Sequence, residues 1–296
     1  MLPGPAVLPR TTPSETRPPP LASSRRRPIG ARMRRVLGAA LVPLASLAAL
    51  AAFCWPFLQA AVPADAQRAV PVLAIAAAVV LAGAVAVSLA GGAQGTMLVA
   101  MLGTLTAVGM VLRFFGTGFG GIETALVLLI LGGRAFGPRF GFLLGATVML
   151  GSALLWGGVG PWLPFQVFAA GWVGAGAGLL PRWRRDAAAG RGGAAGRAWA
   201  ELAMLAVYGV LASYVFGLLM NVWFWPFAVG GDTSISYDAA AGFGGNLVRF
   251  LSYSLVSSTL TWDTVRAVTT VAGLLLIGRP VLAALRRSPL ARRGRA

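Results

Sequence analysis

The side chains that could act on a bound molecule stand at the ends of apolar segments, and few of them carry charge. Arg113 and Glu123 flank a glycine-rich loop, 114–122, whose backbone could approach a ligand closely. Asp263 and Arg266 stand three residues apart on a predicted helix, so we expect them to pair with each other. Ionisable residues near the membrane are costly and commonly functional. Arg113 and Glu123 are therefore candidate ligand contacts, with a mutual ion pair as the alternative.

Aromatic and amide side chains form a second candidate group. The run 221–227 reads NVWFWPF and contains Asn221, Trp223 and Trp225. Small-molecule pockets are lined mainly by apolar and aromatic side chains, with a few polar groups that fix orientation. For any single tryptophan, a place in a membrane-interface belt is the alternative interpretation. The candidate ligand-binding residues outside this run are Trp162, Gln166 and Asn246.

The residues that are missing from the sequence exclude most enzyme chemistry. It contains no histidine, so neither a histidine base nor a histidine metal ligand is available. Cys54 is the one cysteine, which excludes an intrachain disulfide and a multi-cysteine metal site. The sequence has no P-loop, so the chain cannot itself hydrolyse ATP in the usual way. We predict no catalytic residue, no metal site and no cofactor, and an enzyme is the least favoured function.

Membrane helices are the elements that must position these residues. Of the 296 residues, 57% are hydrophobic and 11% are charged, whereas soluble domains are about 25% charged. Apolar runs of about 20 residues predict spanning helices. The predicted fold class is therefore an all-α polytopic membrane protein with eight spans. They lie at 36–58, 70–90, 96–113, 121–133, 139–156, 163–181, 198–222 and 264–285.

The arginines orient these spans. The net charge is +17 and the chain contains no lysine. With the N-terminus inside, 21 arginines fall on the inner side and four on the outer side, as the positive-inside rule requires. The charge therefore indicates orientation rather than nucleic-acid binding, and both termini are predicted to be cytoplasmic. A ninth span at 246–262 would place C-terminal arginines outside. We expect this stretch to be an interfacial or re-entrant helix, or the outer part of one long bent helix.

Four regions follow from this organisation. Residues 1–35, rich in arginine and proline, are predicted to be a disordered cytoplasmic tail because they lack apolar periodicity. Residues 36–95 hold two N-terminal transmembrane helices. Residues 96–285 form a six-helix membrane core that would bind the substrate, and 286–296 form a second basic tail.

Small residues recur at helical spacing in the third predicted span. Ala100 and Thr104 lie four residues apart, as do Gly103 and Ala107. This spacing places small side chains on one helix face and lets another helix approach closely. Packing within the bundle is one interpretation, and a docking face for a partner membrane protein is the other.

Four stretches of the chain carry a family resemblance. They read GGRAFGPRFGFLLG (132–145), SALLWGGVGPWLPFQ (152–166), GLLMNVWFWP (217–226) and WDTVRA (262–267). They resemble the membrane-embedded substrate-binding (S) component of energy-coupling-factor (ECF) vitamin transporters, particularly its actinobacterial branch. The resemblance covers about 96–285. It implies a six-helix core made of spans three to eight, with two additional helices before it.

This resemblance also implies a function. An S component binds a vitamin or related micronutrient from outside, and then associates with a transmembrane coupling (T) subunit and two ATPase subunits in the bacterial plasma membrane. Small residues of its first core helix face the coupling subunit, which here points to Ala100, Gly103, Thr104 and Ala107. The branch looks closest to members proposed to take up cobalamin, with a flavin or another heterocycle left open. The alternative function is a non-transport membrane scaffold or assembly protein without a small-molecule ligand.

Overall fold

The structure, a computed structural model, describes most of the predicted membrane core. The described residues are 43–44, 46–58, 92–116, 122–156, 158–160, 162–182, 191–230, 233–238, 240–288 and 290–291. The predicted tail 1–35, the second predicted span 70–90 and residues 292–296 lie outside them.

Within these residues the chain is helical and contains no strand. After helical residues 46–53, the elements are α1 (Trp55–Leu58), α2 (Gly92–Gly116), α3 (Ala125–Phe136), α4 (Pro138–Trp156), α5 (Leu163–Leu179), α6 (Arg191–Ala228), α7 (Gly242–Ser254), a π-helical segment (Leu255–Asp263) and α8 (Thr264–Arg287). The all-helical prediction is confirmed for this part of the chain.

Four helical stretches are long and apolar enough to cross a membrane. They are Gly95–Gly116, Pro138–Trp156, Ala195–Ala228 and Gly242–Arg287. Helices α3 and α5 are apolar but shorter, with 12 and 17 residues. These lengths are consistent with a multi-pass membrane protein. The count of eight spans and the orientation of the termini stay predictions.

The centre of the bundle is the short helix α3. Every residue from Ala125 to Arg134 is buried, and the helix contacts α2, α4, α5, α6 and α8. At about 1.5 Å per residue, α3 is only about 18 Å long. Gly137 ends it with φ of 100°, a backbone conformation that suits glycine. Pro138 then starts α4, a position where its missing N–H costs nothing.

Helices α3, α4 and α5 touch one another through backbone rather than through side chains. A Cβ added at Gly133 or Gly141 would overlap the carbonyl of Gly174, and one at Gly145 would overlap the carbonyl of Ala170. Small residues allow such close approach, which strengthens packing where lipid offers no hydrophobic driving force. These glycines therefore fix the three helices as a rigid centre to which the others are added.

Helix α2 packs on this centre with one face and leaves the other uncovered. Leu102 and Leu105 are buried, and the hydroxyls of Thr106 and Thr147 on α4 lie 2.7 Å apart. The four small residues of the opposite face are all exposed: Ala100, Gly103, Thr104 and Ala107.

The last 46 residues of the bundle, Gly242–Arg287, form one continuous helical stretch. The stretch 246–262 is therefore part of the first half of one long helical stretch rather than a separate helix. At about 1.5 Å per residue the stretch extends about 70 Å, more than twice the hydrocarbon thickness of about 30 Å. Part of it must lie outside the apolar layer of a membrane.

Gly174→Val tests the glycine contacts. We expect it to lower the free energy of unfolding by at least about 2 kcal/mol, because the new side chain would overlap the carbonyl of Gly141. Gly103→Val is the matched control, since a Cβ there has no atom within 4 Å. Thermal unfolding in detergent measures both variants, and equal stability would contradict the packing described here.

Candidate functional site

A buried ion pair lies where α6 meets the start of α8. The Asp263 side chain is 1% exposed and accepts from Nη1 of Arg266 at 2.5 Å. The same nitrogen reaches the Ser213 carbonyl on α6 at 3.3 Å, and the guanidinium lies over the Phe216 ring, 5.1 Å from its centre. The ion pair expected from the three-residue spacing of Asp263 and Arg266 is therefore confirmed.

The close fit of Asp263 against α6 depends on one glycine. A Cβ at Gly217 would overlap the carboxylate of Asp263. The missing side chain lets the carboxylate lie directly against the α6 backbone. Any other residue at position 217 would push the Asp263 carboxylate away from its place beside Arg266. Separating two buried charges in apolar surroundings costs free energy.

The π-helical segment before α8 brings polar residues spaced five apart into contact. Ser258 donates to Oδ2 of Asp263 at 3.0 Å, and Thr264 donates to the Thr259 carbonyl at 2.8 Å. The hydroxyls of Ser254 and Thr259 lie 3.4 Å apart. A π-helix pairs residues i and i+5, and π-helical turns occur frequently at functional sites. This winding turns a row of hydroxyl groups toward α6.

Asn221 on α6 binds two of these hydroxyl groups. Its Nδ2 donates to Oγ of Ser254 at 2.8 Å and to Oγ of Ser258 at 2.6 Å. Because Ser258 donates in turn to Asp263, a continuous line of hydrogen bonds runs from Asn221 to Arg266. Asn221 was expected at a ligand pocket, and the structure places it at the edge of this polar line.

Arg113 and Glu123 join the same end of the bundle from α2 and from the segment before α3. Nη1 of Arg113 donates to Oγ of Ser152 on α4 at 2.8 Å. Glu123 lies within electrostatic reach of both Arg113 and Arg266. Its Oε1 is buried and has no hydrogen-bond partner among the described residues. A buried carboxylate oxygen in this state is a ready acceptor for a donor that enters the site.

These residues are called the charge network below. Its members are Arg113, Glu123, Asn221, Ser258, Asp263 and Arg266. Two arginines balance two acids, so the network is formally neutral. Helices α2, α6 and α8, the segment before α3 and the π-helical segment each contribute to it, and a change at this site would therefore affect several helices together.

The tryptophans of the 221–227 run pack into the bundle beside this network. The Trp223 side chain is 5% exposed, and its ring is stacked on Phe165 with 5.0 Å between centres. Trp225 is completely buried and contacts the rings of Phe57, Tyr237 and Phe250. Both rings therefore pack against the helices that carry the network, and their predicted role in binding a ligand stays a prediction.

Trp225 and Asn246 also hold the segment 233–238 in place. Nε1 of Trp225 donates to the Ile235 carbonyl at 2.7 Å. The Asn246 amide accepts from the N–H of Asp238 at 3.0 Å and donates to its carbonyl at 2.7 Å. In this segment, burial and then the neighbouring Asp238 carboxylate raise the pKa of Tyr237, so its phenol stays neutral at physiological pH.

Trp162 and Gln166 are adjacent to each other, and neither has a described hydrogen bond to the charge network. Trp162 is 41% exposed, and its Nε1 donates to the Gly158 carbonyl at 3.2 Å. Gln166 lies on α5 with its side chain half-buried. The neighbouring Phe165 instead reaches the site by stacking on Trp223.

Sequence reasoning missed the two serines that bind Asn221, and also Phe57. Ser254 and Ser258 carry no signal by themselves, because their role comes from the π winding that stacks them. Phe57 lies in the first predicted span, and only the folded structure brings its ring to Trp225, 6.1 Å between centres.

Comparison with known proteins adds no family assignment. A scan against protein-family models and searches of curated proteins and of solved structures each returned no match to this chain.

Asp263→Asn tests how much the buried Asp263–Arg266 pair contributes to the free energy of unfolding. We expect it to lower the free energy of unfolding by about 3 kcal/mol, because it leaves the Arg266 charge buried without its counter-ion. Asp238→Asn is the matched control, since its pair with Arg249 is 3.4 Å long and partly exposed; it should cost below about 1 kcal/mol. If chemical unfolding shows the same loss of free energy in both variants, the buried Asp263 pair contributes no more to stability than the Asp238 pair.

Proposed function

We propose that this protein is the substrate-specificity (S) subunit of an ECF-type importer in a bacterial plasma membrane. The observation that supports this most is the charge network, a neutral set of ionisable and amide groups enclosed by apolar helices. Ionisable groups at membrane depth are retained chiefly for function. Here they converge from distant parts of the sequence on one end of the bundle.

The chemistry of the network favours a neutral or zwitterionic polar ligand over a metal ion or a proton. The two acids are offset by two arginines that lie close to them, so the network has no net negative charge to attract a cation. The buried Oε1 of Glu123 is available to a ligand N–H or O–H. We propose a vitamin with amide or hydroxyl donors around a heterocycle, with cobalamin as the first candidate.

The uncovered face of α2 supports the proposed coupling. Ala100, Gly103, Thr104 and Ala107 are exposed on a helix of membrane length, and small residues allow a partner helix to approach closely. We propose that this face binds the transmembrane coupling subunit. The two ATPase subunits bound to that partner would supply the energy, since the chain itself has no P-loop.

Titration of the purified full-length protein tests ligand binding. We expect cobalamin, or failing that another B vitamin, to bind with a dissociation constant in the micromolar range or below. Glu123→Gln and Asn221→Ala should each weaken binding by at least about tenfold, corresponding to about 1.4 kcal/mol. In Asn221→Ala the hydroxyl of Ser258 keeps its bond to Asp263, so the fold should survive.

Asp238→Asn is the control for this titration, because it removes one negative charge from a half-buried position that has no described hydrogen bond to the charge network. It should leave the affinity within about twofold of the native value. If no B vitamin binds, or if Asp238→Asn weakens binding as much as Glu123→Gln does, the proposed site is wrong.

Gly103→Leu tests the docking face. The new side chain has room in the isolated protein, since a Cβ at Gly103 meets no atom within 4 Å. It should therefore keep the fold and vitamin binding but reduce co-purification with the coupling subunit at least about fivefold. Gly196→Leu on α6, where a Cβ is equally unobstructed, should leave co-purification unchanged. Equal co-purification of the two variants would show that this face of α2 does not bind the coupling subunit.

One observation favours the second candidate, a membrane scaffold without a ligand. Asn221, Trp225 and Asn246 all have partners inside the chain. A protein whose polar groups serve only packing would unfold more easily in these variants and would bind no vitamin. The same titration, read together with unfolding curves, separates the two functions.

A further inference from the structure

A groove of about 850 Å³ lies between α6 and α8, at the opposite end of the bundle from the charge network. This end is marked by Arg134 in the last turn of α3 and by Arg286 and Arg287 in the last turn of α8. Its lining includes Trp199, Glu201, Leu275, Leu276, Arg279 and Arg287. It is called the arginine groove below.

Glu201, the one acid that lines the groove, is fully occupied by arginine. Its carboxylate accepts from Nε of Arg134 at 2.6 Å, and from Nη1 and Nη2 of Arg286 at 2.9 and 2.5 Å. Arg134 also donates to the carbonyls of Leu180 and Pro181. Glu201 therefore holds Arg134 and Arg286 in fixed positions and has little capacity left for another cation.

Arg279 and Arg287 supply the excess charge. Both are exposed, and no acid among the described residues lies within salt-bridge distance of either. Arg279 is held over the ring of Trp199, with 5.0 Å from its Cζ to the ring centre, an arrangement that orients a guanidinium without neutralising it. The groove thus presents a preorganised positive charge to an anion.

The other part of the groove is apolar and uncovered. Trp199 is 53% exposed, Leu275 47% and Leu276 79%. They lie on helical stretches that are long and apolar enough to cross a membrane. A small soluble anion would leave this apolar surface uncovered, whereas the acyl chains attached to a charged headgroup would cover it.

From these observations we propose that the arginine groove is a binding site for an anionic phospholipid. The phosphate lies between Arg279 and Arg287, and the acyl chains lie along Leu275 and Leu276. Basic pockets between transmembrane helices on the cytoplasmic side bind anionic headgroups in this way. The sequence-derived orientation puts this end of the bundle on the cytoplasmic side, where anionic lipids concentrate. The site is independent of the proposed vitamin site.

Lipid titration of the full-length protein in neutral detergent, followed by native mass spectrometry, tests the proposal. We expect dioleoylphosphatidylglycerol to bind at least about tenfold more tightly than dioleoylphosphatidylcholine. The double substitution Arg279→Gln/Arg287→Gln should weaken phosphatidylglycerol binding by about tenfold, since each basic residue near the headgroup contributes substantially. Arg286 is left in place because it pairs with Glu201.

Arg139→Gln/Arg182→Gln is the matched control. Both arginines are exposed at the same end of the bundle and neither lines the groove, so the control removes the same charge. It should change phosphatidylglycerol binding by less than about twofold. If the two double variants weaken binding equally, or if phosphatidylcholine binds as tightly as phosphatidylglycerol, the proposal is wrong.

Two further measurements distinguish a phospholipid from other molecules that could occupy the arginine groove. Glycerophosphoglycerol, the headgroup without acyl chains, and inorganic phosphate should each bind at least about tenfold more weakly than the lipid. Equal binding of either would show a site for a soluble anion and would overturn the proposal. Displacement of the lipid by micromolar hexaglutamate, lost in Arg279→Gln/Arg287→Gln, would instead show a docking site for an acidic protein segment, and would also overturn it.

Discussion

A charged carboxylate buried among apolar helices is the constraint around which one end of this molecule is organised. Removing Asp263 from water is costly unless charge and hydrogen bonds compensate for it. Arg266, Ser258 and, through Ser258, Asn221 provide that compensation. To bring these groups together, the chain needs glycine at position 217 and a π-helical segment before α8. The glycine and the π-helical segment therefore have a common cause, which is the burial of the Asp263 carboxylate.

The rest of the bundle supports this end by holding its helices at fixed distances. Helices α3, α4 and α5 meet backbone to backbone at Gly133, Gly141 and Gly174. On this rigid centre, the aromatic contacts of Trp223 and Trp225 fix α6 against α5 and against the segment 233–238. The residues around the charge network therefore have few ways to rearrange. A site preorganised in this way would need little further ordering to bind the proposed ligand.

Sequence patterns predicted the helices and one ion pair well, because both depend on local spacing. The fifth predicted span, 139–156, differs by one residue from α4 (Pro138–Trp156), whereas the last, 264–285, covers only the second half of a continuous helical stretch that begins at Gly242. The role of Ser258 was not predictable, since it follows from π winding, which has no clear sequence signal. Whether Trp225 faces a ligand or the protein interior likewise depends on tertiary contacts that no local pattern contains.

Identification of the small molecules that co-purify with the full-length protein determines whether the charge network holds a vitamin-class ligand. Mass spectrometry of the native protein should detect a vitamin-class heterocycle at close to one molecule per chain, and the amount should fall at least about tenfold in Glu123→Gln while Asp238→Asn retains it. If folded native protein carries no such molecule and takes none up from a mixture of B vitamins, the charge network is not a vitamin-binding site.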